Sequence, residues 1–238
     1  MTAALFREDA YLRDATGVVR AHTQEGGIVL DRSVFFPRGG DQPGDSGRLD
    51  WHGRSLSIAT AMRGDRDAVI LVPAEPLPLP APGTVVTQRL DWERRHRHMR
   101  VHSALHLLSV AVPLPVTGGT IAAGRGWLDF ASSELPESRE ALEAMLNGFA
   151  ERDLPISADW VEETVLDANP ALVRSMTVQP PRGQGAVRLV RIGRGADQID
   201  LQPCSGTHVA RTGEIGRIRI GRIETEDGQT CRINLTLD

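Results

Sequence analysis

Val101-His102-Ser103-Ala104-Leu105-His106-Leu107-Leu108 sets two imidazoles four residues apart among apolar neighbours. On a helix this spacing puts both rings on one face, one turn apart. Much further along, Pro203-Cys204-Ser205-Gly206-Thr207-His208 offers a thiol and a third imidazole. Each motif alone has an ordinary reading, as two helix histidines or as a small buried thiol at a turn. Together they supply N, N, S and N donors, the set that zinc prefers.

Upstream of the first pair the pattern changes. Val18 to His22, Ile28 to Leu30, Val34 to Phe36 and Ala68 to Val72 are short, strand-like runs. Trp51-His52-Gly53-Arg54 has the composition of a hairpin tip. Several short strands with turn punctuation predict a small β-barrel. The run from Pro73 to Gly83 is too proline-dense for regular structure, and a strand resumes from Gly83 to Leu90. We place the domain boundary after that strand, giving domains at 1–90 and 91–238.

In the second domain Asp91 is placed to cap a helix that carries both histidines and stops before Pro113. A second helix is expected from Glu137 to Arg152, where Leu142, Met145, Leu146 and Phe149 recur at helical spacing. A short helix is expected near Asn169 to Ser175. Strands are expected at Gly126 to Phe130, Ile156 to Leu166, Val187 to Ile192, Ile215 to Glu224 and Cys231 to Leu237. Helices and strands do not alternate as βαβ units, so the expected class is α+β, a small N-terminal barrel followed by a mainly antiparallel sheet with packed helices.

The chain has 238 residues, 40% of them apolar, and no long uncharged apolar run, which predicts no membrane partner. The segment from Met1 to Arg13 carries Arg7, Glu8, Asp9 and Arg13 and does not read as a secretory signal, so a cytoplasmic address is expected. Two cysteines make no disulfide framework; Cys204 reads as a ligand or buried thiol, and Cys231 as core. The net charge of −4 argues against indiscriminate binding to polyanions. All 27 basic residues are arginine. They cluster in Arg94-Arg95-His96-Arg97-His98-Met99-Arg100 and recur at Arg182, Arg188, Arg191 and Arg194. Such runs are either solvated faces or guanidinium groups suited to a phosphate-bearing substrate. Nothing in the sequence specifies an oligomeric state.

The histidine pair, the segment Asp200-Leu201-Gln202-Pro203-Cys204-Ser205-Gly206-Thr207-His208 and the run Phe35-Phe36-Pro37-Arg38-Gly39-Gly40-Asp41-Gln42-Pro43-Gly44-Asp45-Ser46-Gly47 fall in a known order, with Gly118-Gly119 before Leu128-Asp129-Phe130. In this the chain resembles the freestanding alanyl-tRNA editing proteins, the AlaX group, which are similar to the editing domain of alanyl-tRNA synthetase. The resemblance implies a trans-editing hydrolase. It would cleave the ester between a wrong amino acid, chiefly serine with glycine as a second candidate, and the acceptor end of tRNA for alanine. It also carries zinc ligation onto His102, His106, Cys204 and His208. Ser205 and Asp41 stand where family members commonly have glycine, which bears on the ligand turn and on the glycine-rich loop.

Further roles follow from chemistry. A pocket that prefers serine over alanine needs a polar group for the hydroxyl; Ser103 and Thr120 are candidates. Gly39, Gly40, Asp41 and Gln42 are substrate-binding candidates in the glycine-rich loop, which lacks the spacing and lysine of a nucleotide phosphate loop. Asp200 and Gln202 are candidates for orienting a ligating imidazole. Four protein ligands close a tetrahedral zinc, so the water activator stays unassigned. Two alternatives remain, a non-catalytic zinc-stabilised RNA-binding module and a metal hydrolase acting on small esters or amides.

Overall fold

A computed structural model of the chain describes residues 2–132, 138–169, 172–173, 185–226 and 228–238. Two compact units are present, Met1–His98 and Met99–Asp238. The expected helix near Asn169 to Ser175 falls largely outside the described residues, as do Glu137 and Arg182. Among the described residues no helix is long and apolar enough to cross a membrane.

The first unit opens with β1 (Ala3–Ala4), α1 (Leu5–Glu8), β2 (Asp14–His22), β3 (Ile28–Leu30) and β4 (Arg32–Ser33). It continues with β5 (Gly47–Trp51), β6 (Arg54–Arg63), β7 (Val69–Pro73) and β8 (Val85–Leu90). β1 and β4 form a short parallel pair, and the other six strands close a barrel in the order β2-β3-β7-β6-β5-β8. Every ladder of the barrel is antiparallel. The β5–β6 hairpin turns on His52 and Gly53 at φ 44° and 73°, the positive pair that a two-residue turn of this twist requires. Phe35, Phe36, Leu49, Leu56 and Leu71 fill the interior.

Val34 to Phe36 is not a strand, although its residue types favour one. Side chains replace the ladder: the Val34 N–H donates to Gln88 Oε1 (3.2 Å), Phe35 to Ser33 Oγ (3.1 Å) and Phe36 to Asp45 Oδ2 (2.6 Å). With its donors satisfied locally, the run buries three apolar side chains without strand neighbours. Downstream, Gly44 packs so close to β6 that a Cβ there would lie 2.0 Å from the Ala61 carbonyl oxygen. Gly39 and Gln42 close a turn through reciprocal N–H to carbonyl bonds of 3.2 Å, with Gly40 at φ 56° and Asp41 exposed at its tip.

Helix α2 (Trp92–Ala111) begins in the first unit and continues in the second. Asp91 caps it, accepting the Arg94 N–H on Oδ1 at 3.2 Å. Its first turns do not present the arginines as one solvated face. Arg95 is fully buried, with Nε 2.9 Å from Asp45 Oδ2, Nη1 donating to the Ala10 carbonyl (2.8 Å) and Nη2 to that of Val34 (2.6 Å).

The second unit continues with β9 (Val116–Ala122), β10 (Arg125–Ala131), α3 (Arg139–Glu151), β11 (Ile156–Glu162), α4 (Glu163–Ala168), β12 (Ala186–Ile192), β13 (Asp200–Pro203), β14 (Ile218–Glu226) and β15 (Thr230–Leu237). One antiparallel sheet has the order β14-β15-β10-β9, another β11-β12-β13. The strand expected over Ile156 to Leu166 stops at Glu162. The chain then turns into α4, which brings Leu166 into a cluster with Val187 and Leu189 that a continued extended run would not reach. β9 and β13 were not expected from the sequence.

Helix α3 is capped by Ser138, whose side chain accepts the Ala141 N–H. It also shields the β14 edge: Asn147 Oδ1 accepts from Ile218 N–H (2.9 Å) and Glu143 Oε2 from Ile220 N–H (2.8 Å), removing donors that an edge strand otherwise exposes. Helix α2 lies against β10 at Gly126, where a Cβ would meet Val101 Cγ1 at 2.8 Å. That close approach fixes the depth of the turn carrying His102 and His106.

Candidate metal centre

From Met99 onward α2 is buried on most of its circumference. Met99, Val101, Ala104, Leu105, Leu107 and Leu108 are core, and Ser103 and His106 are buried with them. A helix enclosed in this way holds its polar side chains against fixed partners rather than water. His102 and His106 project from consecutive turns, with ring centroids 5.3 Å apart. The loop after β13 delivers Cys204 and His208 to the same point; His208 lies 4.2 Å from His102 and 4.6 Å from His106, centroid to centroid.

The four residues group as a possible metal site, their donor atoms all within 4.8 Å of one another. Cys204 Sγ stands 3.5 Å from His102 Nε2 and 3.3 Å from His208 Nε2. A tetrahedral zinc with ordinary bond lengths has nitrogen–nitrogen and nitrogen–sulfur edges of about 3.3 to 3.6 Å. The chemistry of the donor set and the two sulfur–nitrogen distances therefore fit that ion.

Three of the four donors are held from behind. Asp200 Oδ2 lies 2.9 Å from His106 Nδ1, leaving Nε2 as the ligand nitrogen. Gln202 reinforces the carboxylate, its Nε2 donating to Asp200 Oδ2 (2.8 Å) and to Ser109 Oγ (3.3 Å). Ser103, fully buried, places Oγ 3.2 Å from His208 Nδ1 and accepts the Val209 N–H at 3.3 Å. The Gly206 N–H points at Cys204 Sγ (3.4 Å). Arg188 Nη1 donates to the carbonyls of Cys204 (2.8 Å) and Gly206 (3.1 Å), bracing the loop from β12.

Electrostatics follow from this packing. Burial disfavours a charged His106, but the hydrogen bonds to Asp200 and Cys204 and their negative charge prevail, raising its pKa to about 9 in the metal-free protein. Burial likewise opposes a Cys204 thiolate, yet the His102 and His208 charges and hydrogen bonds from His102 and His106 bring the thiol well below its ordinary value. His208 is pushed well below the usual imidazole range by burial and by the neighbouring His102 charge. The metal-free centre thus favours a Cys204 thiolate beside a protonated His106.

The other expected site residues belong to other elements of the chain. Thr120 sits in β9 opposite Trp127, its hydroxyl on the Gly119 carbonyl at 2.7 Å. Gly39, Gly40, Asp41 and Gln42 belong to the turn of the first unit. Arg188, in a run read as either solvated or suited to phosphate, directs Nη1 to the carbonyls of the loop that carries Cys204, a contact that only the β12–β13 pairing reveals.

A family model described as the threonyl and alanyl tRNA synthetase second additional domain matches residues 187–234, the segment that contributes Arg188, Asp200, Gln202, Cys204 and His208. The alanine–tRNA ligase of Pyrobaculum arsenaticum is 31% identical over 232 residues, covering 94% of this chain and 25% of the ligase. The alanyl-tRNA editing protein AlaX-M of Methanosarcina acetivorans is 29% identical over 250 residues, covering the whole chain and 99% of its own length. Along its whole length the chain is thus similar to a protein named as an alanyl-tRNA editing protein. AlaX-L of Pyrococcus horikoshii is 28% identical over 99% of the chain and 58% of its own length. Against the alanine–tRNA ligases the chain spans about a quarter of the relative, 25% in the Pyrobaculum arsenaticum protein.

Proposed function

We propose that the chain hydrolyses the ester of mischarged tRNA for alanine in trans, chiefly the seryl ester with the glycyl ester as a second substrate, at a zinc centre formed by His102, His106, Cys204 and His208. The observation that carries this reading is the convergence of three imidazoles and one thiol, with His106, His208 and Cys204 braced from behind, in a chain that matches an editing protein along its whole length. When bound, zinc supplies a fixed positive charge to polarise and orient the acyl end.

The residues around it do the rest. Asp200 holds the Nδ1 proton of His106, so that Nε2 stays available. Ser103 fixes the His208 ring, and Arg188 keeps the Cys204–Gly206 turn from swinging away. An aminoacyl ester is already activated, so positioning and electrostatic stabilisation account for much of what is required. Four protein donors complete a tetrahedral ion, which favours an orienting metal over one with a vacant position. Thr120 is the proposed reader of the serine hydroxyl, with Ser103 holding a ligand; the turn Gly39–Gln42 is proposed to contact the acylated end.

The closed donor set also favours a second reading, a non-catalytic RNA-binding module that zinc holds together. Incubating catalytic amounts of the protein with seryl-tRNA and alanyl-tRNA for alanine, and following ester loss, separates the two. Preferential loss of the seryl ester is expected, together with loss of both bound metal and activity in Cys204→Ala. Tight tRNA binding with no turnover would establish the module instead.

A further inference from the structure

Among the described large apolar side chains that face solvent, Trp160 is the aromatic one, 55% exposed. Its place in the sheet gives that exposure meaning. Trp160 in β11 pairs directly with Arg188 in β12, so the two side chains rise from the same face with Cβ atoms about 4.5 to 5.5 Å apart. Val190 pairs with Gln202, and Ile192 with Asp200. By the two-residue alternation of strands, this face also carries the groups that support His106. It is covered over β12 and β13, where Val190, Ile192 and Asp200 are buried, and open over β11, where Ala158, Trp160 and Glu162 are exposed. The opposite face is the one closed by Leu166 of α4. The metal centre therefore has a shelf one strand wide beside it, with an indole on the shelf and Arg188 linking it to the Cys204 carbonyl.

We propose that Trp160 is a stacking platform for the terminal base of the acylated RNA. This rests on the hydrolytic reading above. In an aminoacyl nucleotide the ester and the base hang from one ribose, so a centre that holds the ester has the base beside it. A flat, rigid, solvent-facing aromatic is the group that recognises any base without reading its edge. The role is one of binding: Trp160 touches the nucleoside and leaves the reacting atoms to the centre.

The test uses the full metal-loaded chain as wild type, Trp160→Ala and Trp160→Phe, with two substrates, seryl-tRNA and seryl methyl ester, which has no base. Trp160→Ala is expected to raise KM for seryl-tRNA about 5- to 150-fold with little change in kcat, the loss that follows removal of a stacking partner. Trp160→Phe retains most of the affinity, and all three proteins cleave the methyl ester equally. A second readout needs no turnover: an uncharged oligoribonucleotide ending in adenosine quenches indole fluorescence in the wild type, and the quench shrinks in Trp160→Phe. An unchanged KM with an undiminished quench overturns the proposal, as does an equal loss on both substrates, which would mark a purely structural role. If the wild type leaves seryl-tRNA intact, the hydrolytic reading falls, and the quench difference still decides whether Trp160 holds a base.

Discussion

Asp200 and His106 show how one buried contact sets the chemistry of the proposed centre. The 2.9 Å contact keeps Nδ1 protonated and, together with the hydrogen bond and charge of Cys204, raises the imidazole pKa to about 9 while no metal is bound. A group with a raised folded pKa adds stability that is full below its unfolded value and disappears as pH rises through the folded one. Asp200→Asn in metal-free protein should therefore be most destabilised relative to wild type below pH 6.5, with the gap closing as pH passes about 9, as read by urea unfolding across pH. In the metal-loaded protein the same change should weaken zinc binding about ten- to a hundredfold, measured by competition with a chromophoric chelator. Equal affinity in both proteins would show that the carboxylate does not orient the ring. The convergence of the four donors was legible in the sequence because each half is a local motif, and i,i+4 spacing fixes geometry on any helix. Arg188 was not legible in its true place, because its contacts depend on which strand pairs with the loop.

At the scale of elements, much of the barrel was readable from short apolar runs and turn residues, whereas Val34 to Phe36 was misread. Residue type reports burial more directly than hydrogen bonding, and here Gln88, Ser33 and Asp45 take the place of a partner strand. β9 was missed because Gly118 and Gly119 break the apolar pattern, yet Gly118 is where a Cβ would come within 3.0 Å of Asp129 Oδ2. Within the arginine run at the start of α2, the burial of Arg95 was not anticipated. Helical rotation sends Arg95 inward to Asp45, a pairing from another element that spacing along α2 does not reveal. Removing one partner of such a pair leaves a buried charge uncompensated. Arg95→Ala should cost about 3 to 5 kcal/mol of stability, measured by guanidinium unfolding; a loss below about 1 kcal/mol, the range of an exposed pair, would contradict the buried pairing.

On the scale of the molecule, the four candidate ligands come from two distant stretches of the second unit, α2 and the loop after β13. A cation shared between them should stabilise both together, since binding only the folded form adds to its stability by mass action. Chelation is thus expected to lower the melting temperature. It should also increase amide hydrogen exchange in peptides spanning 102–108 and 200–209, while barrel peptides spanning 47–63 keep their protection. Uniform loss across the chain, or no change anywhere, would contradict a cross-link confined to these segments.

The depressed thiol of Cys204 carries one more consequence. A thiolate is the form that reacts with peroxide, and in the metal-free protein this one is held ionised by the neighbouring imidazole groups. A cation bound at the proposed centre would engage a sulfur lone pair and so would also guard the thiolate from oxidation.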